Sequence, residues 1–75
     1  MVTDEVWKAK VRNVLRAQLK LQDIGYRELA ERLAKIGVKE SEQNLANKFS
    51  RGGFSAVFLF QVAEAIGKKI TISDP

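Results

Sequence analysis

The chain has 75 residues, 13 Lys and Arg against nine Asp and Glu, a net charge of +4, and neither cysteine nor histidine. That length holds one hydrophobic core, burying about 60–65% of the surface the unfolded chain would expose, and an apolar share of 45% is enough to fill it. The missing residue types exclude a disulfide framework and a thiolate or imidazole metal site, and they remove the commonest general base, so neither catalysis nor a metal or cofactor is expected.

No apolar stretch approaches the roughly 20 residues needed to cross a bilayer. The longest, Phe54 to Phe60, is broken by Ser55. Asp4 and Glu5 precede any basic residue, unlike the basic start of a secretory signal. The expectation is one cytoplasmic domain over residues 1–75, away from membranes, whose basic balance favours a polyanionic partner.

Four helical segments follow one another, separated by glycine punctuation. The first spans about Asp4 to Leu21 with Thr3 as its N-cap, and Trp7, Val11, Val14 and Leu15 form its inward stripe. Lys8, Arg12, Arg16 and Lys20 recur at every fourth position along one face, either as a solvated stripe or as a strip that meets phosphate oxygens. The second helix spans about Tyr26 to Ile36, with Gly25 as N-cap and Glu28 placed to suit the exposed amides. Its inner face is Leu29, Ala30, Leu33 and Ile36, and Gly37 ends it.

The third helix spans about Glu42 to Ser50, capped by Ser41 and ended by Gly52 and Gly53. The fourth spans about Ala56 to Ile66, between Ser55 and Gly67. In the tail, the alternation Ile70-Thr71-Ile72 predicts a short strand that would need a partner strand from elsewhere. The fold class is therefore all-α, with four to five helices and a short C-terminal strand.

The third helix carries the function. Leu45, Ala46 and Phe49 alone can anchor it, and Leu45 and Phe49 set its inward direction. At about 100° per residue, Gln43, Asn44, Asn47 and Arg51 then point outward, with Lys48 on a flank. Asn and Gln can bond adenine in a bidentate manner, and Arg can do the same for guanine. Asn and Gln are poorer helix formers than alanine or glutamate, so their recurrence on the outer side points to base contact over plain solvation. Glu40 and Glu42 act against this by repelling phosphates, unless they serve the helix dipole or select cytosine.

This pattern resembles the Cro and phage-repressor (lambda repressor-like) type of helix-turn-helix over about Ile24 to Gly67. Tyr26-Arg27-Glu28-Leu29-Ala30-Glu31-Arg32-Leu33 resembles the family's second helix, with its Leu-Ala hallmark. Ser41 to Arg51 resembles the recognition helix, and Arg51-Gly52 the phrase that ends it. Val62-Ala63-Glu64-Ala65-Ile66-Gly67 resembles the Ala-x-x-Leu-Gly close of the following helix. The long turn and the phrase Arg51-Gly52-Gly53-Phe54-Ser55 are most similar to an uncharacterised bacterial group of such domains. The chain departs from the phage repressors in a link about six residues longer, filled by Lys35 to Glu40. It also departs in a second anchor, Phe49, one position later, and in Tyr26 where glutamine often opens the second helix.

The resemblance implies a sequence-specific regulator of transcription bound to double-stranded DNA. Gln43, Asn44 and Asn47 would reach base edges, and Lys48 and Arg51 would reach bases or flanking backbone. Tyr26 and Arg27 would meet phosphates near the helix dipole's positive end, with Arg12 and Arg16 extending that contact. Packing against the first helix is the other reading of Tyr26. A domain this small is expected to dimerise. Phe58, Leu59, Val62 and Ile66 cover one face of the fourth helix and leave Val57 and Phe60 outside it. Those two, with a strand carrying Ile70 and Ile72, would form the homodimer surface, unless neighbours wrap the helix. The competing reading is an adaptor or antitoxin-like module that works through its apolar fourth helix.

Overall fold

The computed structural model describes residues 3–75 and arranges them as four helices: α1 Asp4–Leu21, α2 Tyr26–Lys35, α3 Glu42–Arg51 and α4 Ala56–Ala65. Two of them begin on a serine. Ser41 Oγ accepts the Asn44 amide at 3.0 Å and Ser55 Oγ accepts the Phe58 amide at 3.0 Å, caps of a kind worth about 1 kcal/mol each. Thr3 caps α1 with its carbonyl, and its hydroxyl makes no cap bond.

Three helices end alike. The chain turns through a left-handed residue, and the next amide returns to a carbonyl of the last turn. These bonds run from Ile24 to Leu19 at 2.9 Å, Val38 to Leu33 at 2.9 Å and Lys68 to Ala63 at 2.8 Å. The turning residue is glycine at 37 and 67, but after α1 it is Asp23, at φ 55°, a residue type that tolerates this conformation better than most. The end of α3 is different. Gly52 sits at φ 71° and ψ −157°, a region essentially closed to other residues. A Cβ there would also lie 3.1 Å from Cβ of Lys8 on α1.

The core is one cluster fed by all four helices. Leu29 and Leu33 of α2, Leu45 and Phe49 of α3 and Val62 of α4 are completely buried, and Leu15 and Leu19 of α1 close it from one side. α2 packs on both α3 and α4. Phe49 is the hub of an aromatic group, with ring centroids 5.1 Å from Tyr26, 5.0 Å from Phe54 and 6.5 Å from Phe58. Phe54, in the turn between α3 and α4, is thus part of the core surround.

Several expectations are corrected. The inward side of α1 is Leu15 and Leu19, whereas Trp7 and Val14 are more than half exposed and Val11 is half-buried. α1 has 18 residues against 10 in each other helix, so its first turn, with Trp7, extends past them. Ile36 is largely exposed because α2 stops one residue earlier, at Lys35. α3 runs one residue further, through Arg51, and α4 stops one earlier, at Ala65. No strand forms among the described residues. Ile70-Thr71-Ile72 has no regular structure, and Ile72 is 99% exposed. An isolated three-residue segment has no edge on which to place its backbone groups, and none of the helices offers one.

Gly52→Ala should lower the free energy of unfolding by about 1–3 kcal/mol, from the forbidden backbone region and the contact with Lys8. Urea denaturation measures this; a loss below about 0.5 kcal/mol would mean the turn relaxes without strain.

Candidate nucleic-acid interface

α3 is fixed in rotation by Leu45 and Phe49, both completely buried. Gln43, Asn47 and Arg51 lie about 140–220° around the helix from these anchors, and all three are exposed, as is Asn44 on one flank. The amides are ordered with respect to each other, because Gln43 Nε2 donates to Asn47 Oδ1 at 3.3 Å. That bond leaves Gln43 Oε1 as an acceptor and Asn47 Nδ2 as a donor, the pair of functions that the N6–H and N7 of adenine require. Arg51 forms no ion pair among the described residues.

Lys48 stands elsewhere. It lies only about 80° from the anchor direction and is half-buried. Its ammonium pairs with the Glu40 carboxylate and sits 4.5 Å from the centre of the Phe58 ring. The Glu40 side chain is only 11% exposed. In this arrangement Lys48 is engaged with the protein's own groups, not held out to a phosphate, and Glu40 presents no free charge to the outside. Of the two acids that oppose a polyanion, Glu42 alone remains open.

Two basic regions flank α3. At the start of α2, Arg16, Lys20, Gly25 and Tyr26 line one depression of about 250 Å³. Gly25 provides no side-chain cap there, so the first amides of α2 are left for an outside acceptor. Arg27 lies in the same turn and is exposed, with only a loose 4.0 Å contact to Glu31. The Tyr26 ring packs on Phe49, which joins this region to the inner side of α3 and leaves the tyrosine half-buried. At the C-terminal end of α3, Lys8 and Arg51 border a depression with Gly52, Gly53 and Ser55.

Arg12 behaves differently from its neighbours on α1. It is half-buried, its Nη1 donates to the Ser50 carbonyl at 3.4 Å, and its Nε is covered without a partner. Lys8 and Lys20 complete the basic flanks, and only the fourfold spacing on α1 hinted at them. Glu40 and Phe54 gave no sign in the sequence, since each is placed by a partner that is remote along the chain.

Val57 and Phe60 of α4 are exposed. Ile70 closes one end of a groove between α1 and α4, beside Val14, Leu59 and Ala63. Val57 and Phe60 do not line that groove, and without a strand Ile72 does not join them. A further groove of 710 Å³ lies between α2 and α4, with the Arg32–Glu28 pair in its wall. Arg32 bonds Glu28 at 2.8 Å and also reaches the Ala65 carbonyl at 3.4 Å. Among the described residues no cluster of acidic side chains could hold a metal ion, and no helix is long and apolar enough to cross a membrane.

The chain belongs to the family described as Domain of unknown function (DUF6471), which matches residues 7–71 and so takes in every residue of the interface described above. No curated protein and no solved structure matches the chain.

The Glu40–Lys48 pair should be measurable in a double-mutant cycle. Glu40→Gln alone should cost about 1–3 kcal/mol, because it strands a half-buried ammonium, and Lys48→Met, which strands a carboxylate only 11% exposed, should cost at least as much. The coupling energy from urea denaturation of all four proteins should be about 1 kcal/mol, and additive single effects would show the pair to be idle.

Proposed function

We propose that this member of the DUF6471 family is a sequence-specific double-stranded DNA-binding protein and a regulator of transcription, with α2 and α3 acting as a helix-turn-helix and α3 lying in the major groove. The observation that carries this reading is the outer face of α3. It has three amide side chains and a guanidinium on a helix held by two large anchors, with cations at its C-terminal end and around the start of α2. Amides and guanidinium are the groups that discriminate base edges, and flanking cations supply the sequence-independent share of affinity. The net charge of +4 acts in the same direction.

In this reading Gln43, Asn44, Asn47 and Arg51 face bases. Arg16, Lys20 and Arg27 meet phosphates around the open amides of α2, and the Tyr26 hydroxyl lies at the same place. The protein works in the cytoplasm as a binding module and not as a catalyst. A homodimer would read two half-sites about one helical turn apart. The apolar side chains left exposed on α4, Val57 and Phe60, are its candidate contact, with Val14 and the Ile70 groove beside them. The same exposed pair supports the second reading, an adaptor that binds another protein through α4.

Fluorescence anisotropy with labelled mixed-sequence duplexes over a salt series separates the two. The DNA reading expects log affinity to fall linearly with log salt, and Arg16→Gln or Arg27→Gln to reduce the slope by about 0.9 each. Asn47→Ala should cost about 1–3 kcal/mol on a duplex selected from a random pool and almost nothing on mixed sequence. Absence of binding at low salt would leave the adaptor reading. In sedimentation, Phe60→Glu should convert dimer to monomer without unfolding; a wild-type protein that stays monomeric at all concentrations would remove the homodimer.

A further inference from the structure

We propose that Arg12 is a positioning residue that fixes the C-terminal end of α3 against α1, and that it does not itself contact phosphate. The proposal rests on α3 being the base-reading helix. On α1, Arg12 belongs to the same fourfold series as Arg16 and Lys20, and by spacing alone the three look equivalent. The structure separates them, with Arg16 and Lys20 exposed and Arg12 turned into the junction between α1 and the end of α3. Its guanidinium lies over Gly52, where a Cβ would come within 3.6 Å of Nη1. From there it donates to the Ser50 carbonyl, one of the last-turn carbonyls of α3 that has no intrahelical partner. A cation at this end also meets the negative pole of the helix.

The rest of the junction is built to admit that head group. Lys8, one turn earlier on α1, packs so close that a Cβ at 52 would lie 3.1 Å from its own, and its aliphatic stem runs beside Gly53. The Arg12 Nε is covered without an acceptor, a cost that a solvated phosphate-binding arginine would not carry. Arg51, the last residue of α3 and a member of its outward face, directly follows the carbonyl that Arg12 holds. Fixing the Ser50 carbonyl therefore fixes the backbone from which Arg51 and the end of the reading face project. Arg12 thus acts on base contact through the geometry of α3.

The test compares wild type, Arg12→Gln, Arg12→Lys and Arg16→Gln in two measurements. Amide hydrogen exchange of the DNA-free protein reads the clamp directly. In Arg12→Gln, the amides of Phe49 to Gly52 should exchange about three- to tenfold faster, the factor equivalent to one hydrogen bond from a charged donor at a helix terminus. Those of Leu29 and Leu33 in α2 should keep wild-type protection, and Arg16→Gln should change neither set. Equal exchange in Arg12→Gln and wild type overturns the proposal. If Arg12→Gln fails to fold, Arg12→Lys should show a smaller acceleration at the same amides, and none would overturn it.

The second measurement is the salt series with a selected and a mixed-sequence duplex. Arg16→Gln should lower the slope by about 0.9. Arg12→Gln should keep the wild-type slope while its preference for the selected duplex falls about tenfold. A slope loss in Arg12→Gln equal to that of Arg16→Gln overturns the positioning role and makes Arg12 a phosphate contact. Wild-type protein that binds no duplex removes the DNA reading instead, and hydrogen exchange still decides whether Arg12 clamps α3.

Discussion

Phe49 sits where α2, the turn after α3 and the start of α4 meet. A 10-residue helix is too short to persist in water on its own propensity, and α3 carries amides that weaken it further. It exists because Leu45 and Phe49 are buried, a stabilisation of about 2–3 kcal/mol for each side chain. The Phe49 ring touches the residue that opens α2, the turn that leaves α3 and the first turn of α4. The contact that makes α3 a helix therefore also sets its rotation, and the polarity of its outer face follows from which residues are left over.

The basic charge of the chain is only partly available to a partner. Arg32 is committed to Glu28 and to the end of α4, Lys48 to Glu40 and Phe58, and Arg12 to the end of α3. Gln22 adds a neutral tie, donating to the Ile66 carbonyl at 3.0 Å. Side chains on α1 and α2 thus satisfy carbonyls at the ends of α3 and α4, the groups that helices leave bare. A count of lysines and arginines overstates the field outside the molecule; half of the ten that remain stand beside the candidate interface, with Arg16, Lys20 and Arg27 at the start of α2 and Lys8 and Arg51 at the end of α3, and the other half, Lys10, Lys35, Lys39, Lys68 and Lys69, lie elsewhere.

The parts of the fold that were legible in the sequence are those decided by neighbours along the chain. Ser41 and Ser55 cap the helices they precede, and Gly37 and Gly67 end the helices they follow, because each acts within one turn. Leu29, Leu33, Leu45 and Phe49 were legible through periodicity. Features decided by distant groups were not. Trp7 and Val14 repeat at helical spacing, but spacing says nothing of how much partner surface exists, and an 18-residue helix of about 27 Å overhangs neighbours of about 15 Å. Asp23 ends α1 in a conformation that glycine usually marks. Ile70-Thr71-Ile72 alternates as a strand does, yet alternation needs an edge to pair with. Lys48 reads as an interface cation until the carboxylate eight residues before it is brought alongside.

The length of the link between α2 and α3 bears on how α3 is aimed. In a tight turn the backbone itself dictates the angle between two helices; six residues between Lys35 and Glu42 give no such constraint. Side chains take over that duty at both ends of α3. At its start Ser41 caps the first amides, and Glu40 in the link is tied to Lys48 in the last turn of the helix. At its finish, Lys8 and Arg12 close on Gly52. Between them Phe49 holds the middle to α2 and α4. The projection of α3 is thus a property of the core and of the ion pair that ties the link to it. The outer face, by contrast, makes one internal bond, Gln43 to Asn47, and its side chains can change without disturbing what holds the helix in place.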